Sequence, residues 1–164
     1  QAAGYAGTTA RTQTKGRRMI DGYQILSAIK TSLDNDADLD AALGVKDDSS
    51  KVLIGSALPE AASYPLVLLP DVNLTPIHMG QGARTGGTIQ FDIHVYAATL
   101  AAGREDLEKL YHICTHIDSA LSSVIDTTTV KMYNIELQGS QAATVDLDVC
   151  RKILTYSANA MEKP

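Results

Sequence analysis

Aromatic side chains are scarce in this chain of 164 residues: tryptophan is absent, phenylalanine occurs once and tyrosine seven times. A platform that stacks nucleic-acid bases is built from such rings, so this class of binding protein is disfavoured. Long apolar runs are also missing. The densest, residues 65–69, is far shorter than the roughly 18 residues of a membrane helix. We therefore expect no membrane partner.

Cysteine is the next scarcity, with only Cys114 and Cys150 in the chain. Their wide separation fits neither a disulfide-rich secreted scaffold nor a zinc knuckle, so we expect two free, mostly buried thiols in a reducing compartment. The remaining composition is ordinary, with 45% hydrophobic and 20% charged residues. A chain of this length and composition forms a sizeable core without disulfide or metal support.

Positive charge without any acidic residue is concentrated in the first 18 residues. Residues 1–18 carry four cations and no acid, whereas the remainder carries 10 of the 14 basic residues and all 19 acidic ones. The segment has no apolar period and cannot bury enough surface to fold by itself, so we expect it to be held by a neighbouring chain. The acidic body would repel phosphate, which favours an acidic protein surface as its docking site. The docking cations are Arg11, Lys15, Arg17 and Arg18.

The rest of the chain, residues 19–164, reads as a single α+β domain. Its apolar spacing predicts two helices before residue 44, a long helix whose stripe runs from Leu107 to Val124, and strands before and after that helix. The strands expected are at 51–54, 66–69, 72–79, 88–98, 130–138 and 148–160, and a helical turn is expected at 57–63. We predict an antiparallel sheet of about four strands, with helices packed on one face and an extended N-terminal arm.

The strand at 88–98 has two chemically different faces. Ile89, Phe91, Ile93 and Val95 alternate with the polar residues between them, which predicts one buried face. The polar face is then available for metal binding, for acid–base chemistry, or for contact with water or another chain. It consists of Gln90, Asp92, His94 and Tyr96.

Three patterns in the sequence resemble sites of chemistry. The aspartates of 34–40 resemble a calcium loop, but the glycine and glutamate that such a loop needs are missing in either frame. His112 and His116 have a metal-compatible spacing on a helix, yet Ile113 stands where a zinc protease has glutamate. The helical phase also places both histidines on the side of the helix away from the core. Cys114 lies on the buried side and cannot be a ligand together with them. Asp92 and His94 would need a nucleophile on an elbow-like turn to form a catalytic triad, and the sequence has no Gly-x-Ser-x-Gly motif. We therefore expect no catalytic set, no metal and no cofactor.

Two stretches carry a resemblance to a known family. The first is Leu58-Pro-Glu-Ala-Ala-Ser-Tyr-Pro-Leu-Val-Leu68, and the second is Ile89-Gln-Phe-Asp-Ile-His-Val-Tyr96 leading into the long helix. Over residues 20–160 the chain resembles the tail-terminator, or tail-completion, proteins of tailed bacteriophages and related gene transfer particles. The basic arm lies outside this resemblance.

The resemblance implies a non-enzymatic virion protein, assembled in the host cytoplasm. It would form a hexameric ring that ends the tail tube and joins it to the head-side connector or neck protein, while DNA passes through the lumen without specific binding. Its partners would be other copies of itself, the tail tube protein and the connector. Gln90, Asp92, His94, Tyr96 and the arm cations are the expected contact residues. One alternative is a neck or head-completion protein one ring closer to the portal; another is a small metal-dependent enzyme using His78, His94, His112 or His116.

Overall fold

The computed structural model describes residues 20–45, 49–77, 86–99, 106–146 and 148–163, and the side chains of 143–146 are not included. The basic arm and His78 lie outside the described residues, as do residues 80–85 of the glycine-rich segment 80–87, which the sequence predicts as a hairpin tip. The helices are α1 (Gly22–Asp34), α2 (Ala37–Leu43) and α3 (Leu107–Leu121). The strands are β1 (Val52–Ile54), β2 (Leu66–Leu69), β3 (Val72–Ile77), β4 (Gly86–Ala98), β5 (Ile125–Asp126), β6 (Val130–Asp146) and β7 (Val149–Glu162).

The α+β class and the packing of helices against one sheet face agree with the prediction, but the count of about four strands was wrong. The described part of the chain forms a seven-stranded sheet in the order β1-β2-β4-β7-β6-β5, with β3 also paired to β4. β1 and β2 are parallel, and the other pairs are antiparallel. Six of the strands correspond to segments expected from the sequence, and the count of about four was too low for those segments alone. The strand that was not expected, β5, has two residues, too few to show an apolar period.

β2 and β3 pair with different parts of the long strand β4. Leu66–Leu68 lie opposite His94–Tyr96, and Val72–Ile77 lie opposite Gly86–Phe91. Pro70 separates the two short strands because it cannot donate a ladder hydrogen bond. A Cβ at Gly87 would lie 2.5 Å from the carbonyl oxygen of Thr75, so glycine is what allows β3 to approach this end of β4.

Strand β6 is longer than predicted: it was expected to end at residue 138, before a connection at 139–143. The strand instead continues to Asp146 and pairs with β7 along most of its length. Irregular pairing occurs between Tyr133 and Glu136, where Asn134 has a positive φ of 52°. Asparagine tolerates this region. The far half of β6 is a strand because it forms backbone hydrogen bonds with the long strand β7, although its own sequence has no clear strand pattern.

The helices begin and end where their caps allow. The side chain of Asp21 accepts a hydrogen bond from the Tyr23 backbone at the start of α1, and that of Asp36 accepts one from the Leu39 backbone at the start of α2. Gly44 closes α2 in the left-handed region at φ 64°. The two helices expected before residue 44 are therefore both present, each with a capping side chain at its start.

The centre of the predicted α3 stripe is confirmed and its ends are wrong. Leu107 and Val124 are 45% and 52% exposed because one lies in the first turn and the other beyond the helix end. Ile113 lies outside the predicted stripe and is nevertheless fully buried. In α1, the aromatic side chain of Tyr23 is 64% exposed and does not belong to the core. The residues that α3 buries are Leu110, Ile113, Cys114, Ile117 and Leu121.

A second, smaller apolar cluster covers the other face of the sheet. Leu66, Leu68 and Tyr96 are buried there beneath the segment 55–65, which contributes Leu58 and Tyr64. The helical turn expected at 57–63 is absent from this described segment, which forms non-helical turns closed by a bond from the Ala62 backbone N–H to the carbonyl oxygen of Pro59. The apolar side chains of the segment pack onto the sheet, an interaction that local sequence cannot indicate.

Candidate interaction surface

The four polar residues of β4 lie on the sheet face opposite the helices, as their alternation predicted. Gln90 is exposed, while Asp92 and His94 are half-buried. Tyr96 is only 5% exposed because the segment 55–65 covers it. The structure therefore brings three of the candidates together on an open face and places the fourth in the smaller apolar cluster. The four arm candidates lie outside the described residues.

Side chains from β6 and β7 extend this open face. Thr155 donates from Oγ1 to Asp92 Oδ1 at 2.7 Å, across the β4–β7 pair. Gln138 Nε2 donates to Ser157 Oγ at 2.8 Å, across the β6–β7 pair. Hydroxyl and amide groups dominate the surface, which suits it to many neutral hydrogen bonds with a flat partner. We refer to Gln90, Asp92, His94, Gln138, Thr155 and Ser157 as the polar sheet face.

His94 is neutral near pH 7 in this environment. Burial lowers the pKa of His94, the positive charge of Arg151 lowers it further, and Asp92 opposes the shift. The imidazole ring lies 6.3 Å from the Tyr96 ring, at an interplanar angle of 60°. A neutral imidazole at the rim of the apolar cluster is able to meet a partner surface without the cost of desolvating a charge.

An open groove lies beside the polar sheet face, next to the connection from β2 to the start of β3. Its volume is about 530 Å³, and Asp71, Asn73, Gln90, Asp92 and Thr155 are among the residues that line it. The lining is mostly polar and the groove is shallow, unlike an enclosed, largely apolar ligand pocket. It is better suited to receive a side chain or a chain segment from a partner.

Sequence reasoning missed the open edge of β6. β5 pairs only with Lys131 and Met132, and from Asn134 onward the outer edge of β6 has no neighbouring strand in the described part of the chain. Residues 136–142 are all exposed, including Leu137 at 44%. An uncovered edge presents unpaired N–H and C=O groups that pair readily with another strand. A useful signal in the sequence was the run 137–143, which has no charged residue to discourage such pairing.

The exposed end of β3 lies at another edge of the sheet. Thr75, Pro76 and Ile77 are exposed, with Ile77 at 48%. β3 pairs with β4 in the described structure, whereas β6 pairs with β7 on the other side of β4. The chain therefore has two different exposed edges on opposite sides of its sheet.

The remaining histidine candidates lie on α3. His112 is exposed and His116 half-exposed, away from the core as the helical phase predicted. No helix in the described ranges is long and apolar enough to cross a membrane.

A scan against protein-family models finds no match to this chain, and a search of curated proteins finds none either. A search of solved structures does find a fold match. One matching chain comes from a structure described as "Virion of native gene transfer agent (GTA) particle". It superposes with a TM-score of 0.63 at 18% sequence identity, covering 85% of this chain and 95% of that chain. The two chains therefore share a fold over nearly the whole of the virion chain.

Proposed function

We propose that this chain is a structural virion protein of a phage-like particle, forming a ring that ends the tail tube and joins it to the head-side connector. The observation that carries the proposal is the fold shared with a chain of a gene transfer agent virion over almost its whole length. The open sheet edges and the polar sheet face support an assembling protein, whose surface is built for other chains.

A closed ring requires each subunit to present two different patches to its neighbours. The edge of β6 and the exposed end of β3 meet this requirement, since they lie on opposite sides of β4. Pairing of the β6 edge with the next subunit would continue the sheet from one copy to another. The polar sheet face is then left for stacking on the tail tube protein or on the connector. The proposed assembly is a homohexamer with no enzymatic activity and no cofactor.

The charge distribution suggests how DNA passes such a ring. The described connector around α2 holds Asp34, Asp36, Asp38 and Asp40, and the body as a whole is acidic. Cations lining the passage would bind phosphates and slow DNA transit. We therefore assign acidic or neutral residues to the lumen and the arm cations to an acidic patch on an adjacent ring.

The closest competing role is a neck or head-completion protein, one ring nearer the portal. Electron cryomicroscopy of purified particles that contain this chain separates the two. We expect its density in a six-membered ring directly on the head-proximal end of the tail tube. Density in contact with the portal and not the tube would establish the competing role. Particles that assemble and join normally without the chain would refute both.

A further inference from the structure

Two histidines of α3 lie near two aspartates at the start of α2, a proximity that the helix sequence alone does not reveal. His112 and His116 lie one turn apart, with their Nε2 atoms 3.3 Å apart and their rings inclined by 84°. Asp36 and Asp38 approach from the start of α2, which packs against α3. One ligand atom each from Asp36, Asp38 and His116 lies within 4.8 Å of the other two.

Each side chain has an atom available for coordination. Asp36 uses Oδ1 to accept a hydrogen bond from the Leu39 backbone at 2.8 Å, and its other carboxylate oxygen, Oδ2, takes no part in that bond. Asp38 is exposed, so its carboxylate turns without disturbing the core. His112 and His116 are outside the core as well, and their Nε2 atoms already face one another.

The distance between the two imidazole nitrogens matches the ligand spacing around a small tetrahedral ion. Zinc binds imidazole nitrogen at about 2.0–2.1 Å, which sets neighbouring ligand atoms of a tetrahedron roughly 3.3–3.4 Å apart. The two Nε2 atoms are separated by 3.3 Å. The set of two imidazoles and two carboxylates suits zinc or a similar transition metal better than calcium or magnesium, which prefer oxygen ligands alone.

The surroundings are also negative. Asp34 and Asp40 flank Asp36 and Asp38 in the sequence, so four carboxylates stand within seven residues. Lys30 offsets part of this charge through its ion pair with Asp34. A cation bound beside α2 would relieve the remaining repulsion among the aspartates.

A hydrogen bond between the two imidazoles is the simpler explanation of their distance. One Nε2–H would then donate to the other ring, and the aspartates would be solvated caps of α2. That explanation accounts for His112 and His116, but it gives no reason for two carboxylates to converge on the same ring. Metal coordination accounts both for the convergence of the two carboxylates on His116 and for the short distance between His116 and His112.

We propose that Asp36, Asp38, His112 and His116 bind one divalent transition metal ion, such as Zn²⁺. The ion would fasten the seven-residue helix α2 to the longer helix α3. Such a site is structural and is independent of the ring-forming role. Failure of the metal site would leave the proposed virion function intact.

The test uses the untagged full chain after treatment with a chelator. Calorimetric titration with ZnCl₂ should give one ion per chain, and thermal unfolding followed by circular dichroism should shift upward. At a free zinc concentration about 100-fold above Kd, we expect a rise of roughly 5 °C or more. An absence of saturable binding would overturn the proposal.

Single substitutions identify the ligands. His116→Ala and Asp38→Asn should each weaken zinc binding by about tenfold or more and remove most of the thermal shift, because each leaves an incomplete ligand set. Glu60→Gln and His94→Asn are the matched controls, since they remove an acid and a histidine elsewhere, and they should retain the full response. Full response in both ligand variants would contradict the assignment. An equal thermal shift with MgCl₂ would contradict the role of the histidines.

Discussion

Phe91 of β4 stacks on Tyr156 of β7, with ring centroids 5.5 Å apart and planes inclined by 14°. The hydroxyl of Tyr156 also donates to Asp118 Oδ1 of α3 at 3.2 Å. Burial, followed by the negative charge of Asp118, raises the pKa of Tyr156 far above its usual range, so the hydroxyl stays protonated and remains a donor. One side chain thereby connects the middle of the sheet to the helix that covers it.

This arrangement predicts unequal costs for two substitutions. Phe91→Ala should lower the free energy of unfolding by about 3–5 kcal/mol, because a buried ring is replaced by a cavity. Tyr156→Phe keeps the stacked ring and loses only the hydrogen bond to an exposed carboxylate, so we expect a loss of about 1 kcal/mol. Urea unfolding followed by circular dichroism measures both. Equal losses would show that the hydroxyl matters as much as the ring.

The buried and exposed sides of α3 should respond differently to truncation. Leu110→Ala and Leu121→Ala should each cost roughly 2–5 kcal/mol, because both side chains are about 1% exposed. In metal-free buffer, His112→Ala and His116→Ala should each change stability by less than about 0.5 kcal/mol. The same urea titrations measure these four variants. A large loss from either histidine without metal would mean that its ring supports the fold directly.

The parts of this fold that the sequence reveals are those governed by local pattern. The alternation in β4 fixes which side chains meet the helices, and Asp21, Asp36 and Gly44 fix helix ends through caps within a few residues. The far half of β6 was missed because its pairing depends on β7 and not on its own apolar period. The burial of Tyr96 and the approach of Asp36 to His116 depend on packing between segments far apart in sequence, which no local pattern contains.

The open edge of β6 predicts an assembly defect from one added charge. Leu137→Lys should prevent ring formation, because a lysine on an exposed edge opposes pairing with another strand. Leu107→Lys is the matched control: Leu107 is 45% exposed and Leu137 44%, and Leu107 lies on α3, away from the sheet edge. Both variants should fold, as circular dichroism would report. Rings of normal size in the Leu137→Lys particle, seen by electron microscopy, would exclude this edge from the subunit contact.

Cys114 should be unreactive in the folded chain. Burial raises the pKa of its thiol to about 11, although the charge of Lys152 opposes the shift. The reactive thiolate is therefore rare at pH 8. We expect native protein to resist iodoacetamide at this pH and denatured protein to react at both cysteines, as mass spectrometry would show. Because the folded pKa is raised, the associated stability is present below the unfolded pKa, near 8.5–9, and is lost as pH rises toward 11. Rapid native labelling of Cys114 would contradict its burial.

The arm cations, which lie outside the residues that the structure describes, should matter for joining heads to tails and not for folding. Replacing Arg11, Lys15, Arg17 and Arg18 with serine removes every positive charge from residues 1–18. If these cations dock on an acidic patch of an adjacent ring, the variant should weaken the joining of heads to tails, and added salt should weaken the wild type in the same direction. The fold and its urea midpoint should not change. As a control, replacing Lys51, Lys109 and Lys131 with serine removes positive charge from the body instead of the arm. We expect particles with this variant to join heads to tails normally. Counting joined particles by electron microscopy gives the result. Normal joining by the arm variant would refute the docking role, and so would density that places the arm cations along the DNA path.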